Sequence, residues 1–352
     1  MVIGVCGFVA TGSSAVSDLL KEFDETQVID SLEFSIAYTP DGLEDLEYHL
    51  NKFSKQTSSV VAINRFRKRI HDLGALLKAT NGKSIKIANK FLSEIVSLSW
   101  EGSMSGSVDK LFMSKYRRKL RQIYLKLHKR LKLKRFPLFI KSLFNYKLEC
   151  SILPPKFDEA SRDFINNMLK ACNCDDDKII VLDQPFDGSN PVKSFKYFDS
   201  PKAIIVDRDP RDLYLFAKVF LENKMLGRKM PSQNVDDFIK YYKLVRQGFD
   251  NIKGREDILF MNFEELIYNY DEAIKKVSIF CNVSNHVKKG DNFNPHWSRN
   301  NTQLFKKYHG FENDVQKIEY ELPEYLFRFD NFHDVEAEGS MFFGNMSRRG
   351  GQ

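Results

Sequence analysis

The first 23 residues decide the fold of this chain. They read VIGVC from Val2 to Cys6, GFVATGSS from Gly7 to Ser14, and AVSDLLKEF from Ala15 to Phe23. The first run is short and apolar, which is typical of a strand buried in a parallel sheet. The last run repeats its apolar residues at helical spacing. A turn rich in glycine and hydroxyl residues between a strand and a helix exposes backbone N–H groups, and it therefore predicts an anion-binding loop.

The turn has the spacing G-x-x-x-x-G-x-S of a Walker A phosphate loop, from Gly7 to Ser14. Ser13 stands where that motif has its lysine, so the loop lacks the cation that kinases and ATPases place on the β- and γ-phosphates. The alternatives are a secretory signal or a strand-turn-helix that binds nothing. A signal peptide needs a positively charged start, and only Met1 precedes the apolar run.

Length and composition indicate a globular chain with a sizeable core. The 352 residues, with 42% hydrophobic content, fit one large α/β domain with insertions or two domains. No uncharged apolar run reaches the roughly 18–20 residues that a membrane span needs. Five scattered cysteines form no zinc spacing, and they are typical of a compartment that keeps thiols reduced. We therefore expect a cytoplasmic protein, with a peripheral position at the inner membrane face as one option.

The net charge of +7 is concentrated in one segment, residues 110–147, which holds 14 Lys or Arg and no Asp or Glu. The remaining residues are 40 basic and 47 acidic. A long basic helix with a Leu-rich face is predicted from Lys115 to Leu133. It is either the solvated face of an ordinary amphipathic helix or a surface for an anionic glycan, a membrane or a nucleic acid. Because the Leu-rich face looks more like helix packing than base stacking, nucleic acid is not favoured.

Short apolar strands alternate with helices in the second half of the chain. The strands are predicted at Ile179–Leu182, Ala203–Val206 and Ile258–Met261. This alternation predicts the α/β class, with a mostly parallel sheet flanked by helices in a three-layer P-loop arrangement and a mostly helical basic insertion. In such sheets ligands bind beyond the carboxyl ends of the strands, so the polar residues that follow these strands are expected at one edge.

Two basic clusters follow this pattern. Arg208 and Arg211 come directly after the strand Ala203–Val206, and a guanidinium presents a planar donor fork that suits phosphate or sulfate. The alternative is an Arg/Asp salt-bridge cluster that caps the next helix. Farther along the chain, the stretch WSRNN from Trp297 to Asn301 contains Arg299 and forms a second basic cluster. The alternative interpretation of this stretch is a loose surface loop.

Taken in order, these passages resemble the sulfotransferases that use 3′-phosphoadenosine-5′-phosphosulfate (PAPS). TGSS, ending at Ser14, is similar to their 5′-phosphosulfate loop, and IIVDRDPRD, ending at Asp212, is similar to their 3′-phosphate strand and helix. MNFEEL, ending at Leu266, resembles a further family passage, and SRNN, ending at Asn301, resembles the loop that closes over the nucleotide. The resemblance covers residues 1–30 and about 178–308.

The resemblance implies PAPS as the sulfuryl donor, no metal, and a hydroxyl acceptor that in bacterial-type members is typically a glycan. It implies one sulfotransferase-like domain over residues 1–352, with 35–175 as an acceptor-side insertion and 285–352 as a C-terminal closing segment. Two positions depart from the family pattern: Ala10 replaces a Lys or Arg, and Phe216 replaces a Ser. The cofactor-binding residues that it implies are Gly7, Thr11, Gly12, Ser13, Ser14, Arg208, Arg211 and Arg299.

Sulfuryl transfer also needs a general base for the acceptor hydroxyl. In family members that act on glycans or tyrosine, the base is often a Glu after the second strand, and Glu33 occupies that region. Asp183, at the end of the next recognisable strand, is the second candidate. The alternative for a lone carboxylate at a strand end is a helix cap or a salt-bridge partner. His49 is a further candidate base, but it lies on a charged helix face, which is typical of a surface histidine.

Two rival functions stay open at this point. One is a P-loop kinase, which would require ATP and Mg²⁺. The other is a non-catalytic P-loop protein that binds an anionic polymer or a membrane through residues 110–147. The sequence does not predict the oligomeric state.

Overall fold

The computed structural model describes residues 1–53, 55–104, 108–131, 144–221, 230–287 and 289–332. The chain divides into two compact units, one formed by Met1–Ser35 with Cys174–Gln352 and the other by Ile36–Asn173. Part of the predicted basic segment 110–147 (residues 132–143) and part of the predicted closing segment 285–352 (residues 333–352) lie outside the described residues. The single domain over 1–352 and the insertion bounds 35–175 stay predictions.

The described residues form seven strands. These are β1 (Val2–Gly7), β2 (Thr26–Glu33), β3 (Leu98–Gly102), β4 (Tyr146–Cys150), β5 (Ile179–Asp183), β6 (Pro201–Asp207) and β7 (Ile258–Asn262).

Sixteen α-helices lie in the same residues. They are α1 (Ser13–Leu20), α2 (Leu43–Glu47), α3 (Gln56–Asp72), α4 (Gly74–Ala79), α5 (Lys83–Ile95), α6 (Asp109–Phe112), α7 (Lys115–Arg130), α8 (Phe157–Ala171), α9 (Val192–Phe195), α10 (Pro210–Leu215), α11 (Val235–Arg246), α12 (Glu265–Tyr268), α13 (Tyr270–Cys281), α14 (Pro295–Ser298), α15 (Leu304–Lys307) and α16 (Glu312–Glu321).

The unit that contains the N-terminus is built on a five-stranded sheet of order β2-β5-β1-β6-β7, in which every neighbouring pair is parallel. This confirms the predicted α/β class with a parallel sheet flanked by helices. Strand β1 lies at the centre, where Val5 pairs with Asp183 and Gly7 pairs with Val206. Because parallel strands end at the same edge, the loop after β1 begins beside the residues that follow β5 and β6.

Alternating side chains of β1 bury both faces of this sheet. Ile3 and Val5 pack with α1 through Val16 and Leu19, and all four residues are fully buried. On the opposite face Gly4 lies against Phe186: a Cβ at this position would lie 2.4 Å from the Phe186 ring. Phe186 in turn packs edge-on against rings near α9. Burial on both faces explains why the sequence of β1 is apolar throughout instead of alternating.

The second unit is mostly helical and packs around a cluster of phenylalanines. Phe66 of α3, Phe91 of α5 and Phe164 of α8 have ring centroids 5.0–5.7 Å apart, and all three are buried. This arrangement is the usual way to bury large rings with an offset or edge-to-face geometry. The mostly helical character that the sequence predicted for this region is therefore present in the described residues.

Two local predictions for this unit are wrong at their ends. The helical spacing of the apolar residues predicts one helix from Ile87 to Trp100 and a further helix that ends at Lys147. Instead α5 ends at Ile95, and β3 pairs antiparallel with β4, with Trp100 opposite Leu148. The pairing joins segments about fifty residues apart, and a short apolar run carries no local signal that separates a strand from a helix end.

No helix among the residues that the structure describes is long and apolar enough to cross a membrane.

Candidate functional site

The loop between β1 and α1 is held in shape by its own residues. Thr11 is fully buried, and its hydroxyl both donates to the carbonyl of Phe8 and accepts from the Phe8 N–H, at 3.0 Å each. Ala10 and Gly12 both have left-handed backbone angles, with φ of 64° and 92°. Helix α1 begins at Ser13, directly after Gly12, which has no side chain to cap it. The Ala15 N–H donates to the Gly12 carbonyl at 3.0 Å, whereas the N–H groups of Ser13 and Ser14 have no hydrogen-bond partner among the described residues and can bind a ligand.

Gly12 has a second reason to be a glycine, which is the close approach of Phe263. A Cβ added at Gly12 would lie 2.5 Å from the Phe263 ring. Phe263 follows β7 and is buried in the core. The loop is therefore pressed against a side chain from the far end of the sheet, which leaves it little freedom to change shape.

Gln184 fastens the loop to the neighbouring strand. Its side-chain amide donates to the hydroxyl of Ser13 at 3.1 Å, and its side-chain carbonyl accepts from the Gly7 N–H at 3.3 Å. Sequence reasoning missed this residue, although it comes directly after Asp183 at the end of β5. The signal that could have found it was its position, because a polar residue that follows a strand next to β1 lies beside the loop.

Arg208 lies under the loop and joins three segments of the chain. Its guanidinium donates to the carbonyl of Ala10 at 3.1 Å and to the carbonyl of Asn301, and its residue is only 4% exposed. Arg208 therefore brings a guanidinium to the backbone of Ala10, the position at which the resembled family has a basic residue. Burial lowers the pKa of this guanidinium, and the carboxyl groups of Asp212 and Glu264 act in the opposite direction.

The surroundings of Arg208 are aromatic and partly unsatisfied. The rings of Phe216 and Phe263 lie 4.9 Å and 5.5 Å from its guanidinium carbon, which is the geometry of a cation–π contact. Phe216 thus supplies a ring face where the resembled family has a serine hydroxyl. The Nε atom of Arg208 is buried and has no hydrogen-bond partner among the described residues. A buried guanidinium N–H without a partner can donate a hydrogen bond to an anionic ligand or to a water molecule.

Arg211 points into an ion-pair cluster instead. Asp209 accepts from its Nε and Nη2 atoms at 2.9 Å and 2.7 Å, and Glu319 accepts from Nη1 at 2.8 Å. Asp209 also caps α10 by accepting from the Arg211 N–H. This is the salt-bridge arrangement that the sequence left open as the alternative for Arg211. Its role in cofactor binding stays a prediction.

The C-terminal cluster is anchored beside Arg208. Asp212 is fully buried and accepts from the N–H groups of Gln303 and Leu304 at 2.7 Å and 2.6 Å. Arg299 is mostly buried, with its guanidinium carbon 5.3 Å from the Tyr268 ring centroid and an Nη atom 3.3 Å from the Thr302 hydroxyl. These contacts bring residues 299–304 to the same edge as the loop. Residues 299–304 are therefore not a loose surface loop, which was the alternative interpretation of this stretch.

The two candidate bases are neighbours in the sheet. Glu33 of β2 pairs with Asp183 of β5 across a register shift, and Asp183 is adjacent in sequence to the loop-binding Gln184. Burial, with the nearby charges of Glu33 and Asp30, raises the pKa of Asp183 to about 6, while Lys21 acts to lower it. A carboxyl group with a pKa near the working pH is suited to general-base chemistry.

The structure thus brings together most of the predicted residues. The loop residues Gly7 to Ser14, Arg208 and the 299–301 cluster share one edge of the sheet, and Asp183 connects to it through Gln184. Among the described residues no group of three or more His, Cys, Asp or Glu side chains could hold a metal ion.

No family model matches the sequence, and no curated protein sequence matches it either. The structure is similar to the sulfotransferase domain from the curacin biosynthetic pathway, with 12% identity, a TM-score of 0.41, and coverage of 92% of this chain and 98% of that chain. It is similar to the sulfotransferase domain from the Synechococcus PCC 7002 olefin synthase, with 9% identity, a TM-score of 0.39 and 95% of each chain. It is also similar to sulfotransferase STF9 from Mycobacterium avium, with 11% identity, a TM-score of 0.37, and coverage of 96% of this chain and 78% of that chain.

Proposed function

We propose that this chain is a sulfotransferase that transfers the sulfuryl group of PAPS to a hydroxyl group of a glycan or related acceptor. The observation that carries the proposal is the position of Arg208. Its guanidinium binds the loop at Ala10 and the C-terminal cluster at Asn301, so three of the four passages that resemble the family meet at one site.

The residues present fit the phosphate and phosphosulfate groups of PAPS. The open N–H groups at the start of α1, with the hydroxyls of Ser13 and Ser14, would hold the 5′-phosphosulfate. The buried Nε of Arg208 has no hydrogen-bond partner in the part of the chain that the structure describes, and this residue would supply positive charge together with Arg299. The Phe216 ring makes this site less rich in hydroxyl donors than the family pattern.

When bound, PAPS would supply the sulfuryl group, which the acceptor oxygen would take as the bond from sulfur to the 5′-phosphate breaks. The amide groups of residues 12–14 would stabilise the negative charge that grows on that phosphate. Asp183, with Glu33 beside it, would receive the proton of the acceptor hydroxyl.

A thermal-shift titration of the full chain tests the donor. We expect 3′-phosphoadenosine-5′-phosphate to raise the melting temperature, because a ligand at 100 times its Kd adds about 2.7 kcal/mol of stability. For a chain of this size that corresponds to a rise of about 4 °C in the melting temperature. Stabilisation by ATP with Mg²⁺ but not by 3′-phosphoadenosine-5′-phosphate would support the kinase hypothesis and overturn the proposed sulfotransferase function.

The Asp183→Asn variant tests the base. We expect transfer activity to fall about 10²- to 10⁴-fold, since the asparagine amide cannot accept the proton. In the wild type, activity should rise with pH through about 6, the pKa of Asp183. The measurement is the release of 3′-phosphoadenosine-5′-phosphate from PAPS in the presence of a hydroxyl acceptor.

The same variant has an opposite effect on stability. Folding raises the pKa of Asp183 from 3.8 to about 6, so this group lowers stability as pH rises through that window, and the loss stays constant at higher pH. Asp183→Asn should therefore be about 1–2 kcal/mol more stable than wild type at pH 7.5, after allowance for solvent screening, and equal to it below pH about 4. Asp250→Asn is the control, because the Asp250 side chain is 86% exposed. Unchanged activity in Asp183→Asn would exclude this residue as the base.

A further inference from the structure

One face of helix α7 packs against other residues of the second unit. Arg121 forms an ion pair with Asp109 at 2.7 Å, and an Nη atom of Arg117 donates to the Asn145 carbonyl at 2.8 Å. The Tyr124 ring lies 6.0 Å from the Phe144 ring. Because residues 117, 121 and 124 follow one another at helical spacing, they define the inner face of α7.

A second face of α7 carries an exposed apolar stripe. Its members recur at intervals of three or four residues, and each is at least 47% exposed: Tyr116, Leu120, Ile123, Leu127 and, at the C-cap, Leu131. At 100° per residue these positions fall within about 80° of the helix circumference. No described side chain buries this stripe. Five large apolar groups at one helical face are more than the scattered surface hydrophobics of an ordinary domain.

The outer surface of α7 beside the stripe is mostly basic, and it also includes the exposed Leu125. The helix has eight Lys or Arg residues and no Asp or Glu. Six of these residues lie off the inner face, all on the other side of the stripe, namely Lys115, Arg118, Lys119, Lys126, Lys129 and Arg130. The stripe therefore lies between the inner face and a row of cations that no acidic residue of the same helix neutralises.

We propose that α7 binds the surface of a membrane that contains anionic lipids, with the stripe inserted between headgroups and the basic residues against them. The basic residues and the apolar stripe both support a membrane as the binding partner. Basic side chains complement anionic headgroups, and an apolar stripe gains free energy only where it leaves water. A soluble polyanion would use the cations but would leave the stripe exposed. The proposal does not depend on the proposed sulfotransferase activity.

The test is flotation of the full chain with vesicles of phosphatidylcholine alone or with 30% phosphatidylglycerol. We expect binding to the anionic vesicles only, with an affinity that decreases as salt is added. The triple variant Lys119→Gln, Lys126→Gln, Lys129→Gln should bind on the order of 100-fold more weakly. The triple variant Leu120→Ser, Ile123→Ser, Leu127→Ser should also bind on the order of 100-fold more weakly.

Matched controls lie elsewhere on the surface. Lys156, Lys240 and Lys275 have side chains 66–79% exposed, and their change to Gln removes the same charge. Leu244, Ile279 and Tyr320 are 60–83% exposed, and their change to Ser removes a similar apolar area. Arg117 and Arg121 are left intact, because their contacts hold α7 in place. Equal melting temperatures of all variants would show that folding is unaffected.

Three results would overturn the proposal. The first is equal binding to both kinds of vesicle or to neither. The second is a loss of binding in the lysine variant without any loss in the stripe variant, together with capture of dextran sulfate, since this identifies a soluble polyanion as the occupant. The third is a concentration-dependent dimer in analytical ultracentrifugation that the stripe variant abolishes without vesicle binding, because a second copy then covers the stripe.

Discussion

Replacement of Gly12 by alanine is expected to destabilise the protein by about 2–5 kcal/mol and to abolish nucleotide binding. Two costs add at this position. The backbone has φ of +92°, which costs an L-residue about 1–2 kcal/mol. The new Cβ would also lie 2.5 Å from the buried Phe263 ring, and overpacking of this kind costs about 1–3 kcal/mol. Urea unfolding measures the loss of stability, and calorimetric titration with 3′-phosphoadenosine-5′-phosphate measures the loss of nucleotide binding.

Gly310→Ala is the matched control for this change. Gly310 has φ of +88°, and a Cβ there would meet no atom within 4 Å. It should cost only the backbone strain, about 1–2 kcal/mol, and leave nucleotide binding unchanged. If both variants lost the same stability, the contact with Phe263 would not constrain the loop. If Gly12→Ala bound the nucleotide as wild type does, the loop would not be the binding site.

Replacement of Arg208 by methionine is expected to cost about 3–5 kcal/mol of stability and to weaken nucleotide binding at least about 100-fold. Methionine fills a similar volume but leaves the carbonyls of Ala10 and Asn301 without their donor. It also removes the cation that favours ionisation of two buried carboxyl groups, those of Asp212 and Glu264. Chemical denaturation and the same calorimetric titration measure these losses.

The loss of stability in Arg208→Met should depend on pH. Burial already raises the pKa of Glu264 and Asp212, and removal of Arg208 raises both further. An acid whose pKa is raised in the folded state lowers stability as pH increases, so the deficit should be larger at pH 8 than at pH 5. Arg255→Met removes an exposed ion pair with Asp257, and it should cost less than about 1 kcal/mol at either pH. Equal costs for both variants would contradict a central role for Arg208.

The apolar runs and their spacing determined the sheet and the place of the site. Val2–Cys6, Ile179–Leu182, Ala203–Val206 and Ile258–Met261 all lie in strands of the parallel sheet. Parallel strands end at a common edge, so the positions of the loop, Asp183 and Arg208 at that edge followed from the parallel direction of the strands. These features depend on local periodicity and on a general rule of topology, and both can be read from a single sequence.

Only the tertiary structure decided which side chains contact one another at that edge. Gln184 binds Ser13 across 171 residues, and Arg208 binds Ala10 across 198. Arg211 pairs with Glu319, 108 residues away, rather than with the loop. Such contacts depend on strand register and on the positions of distant segments after packing, to differences of about one ångström, and a hydrogen bond tolerates little more. The sequence places a residue at the edge of a sheet, but the packed chain determines which partner its polar atoms reach.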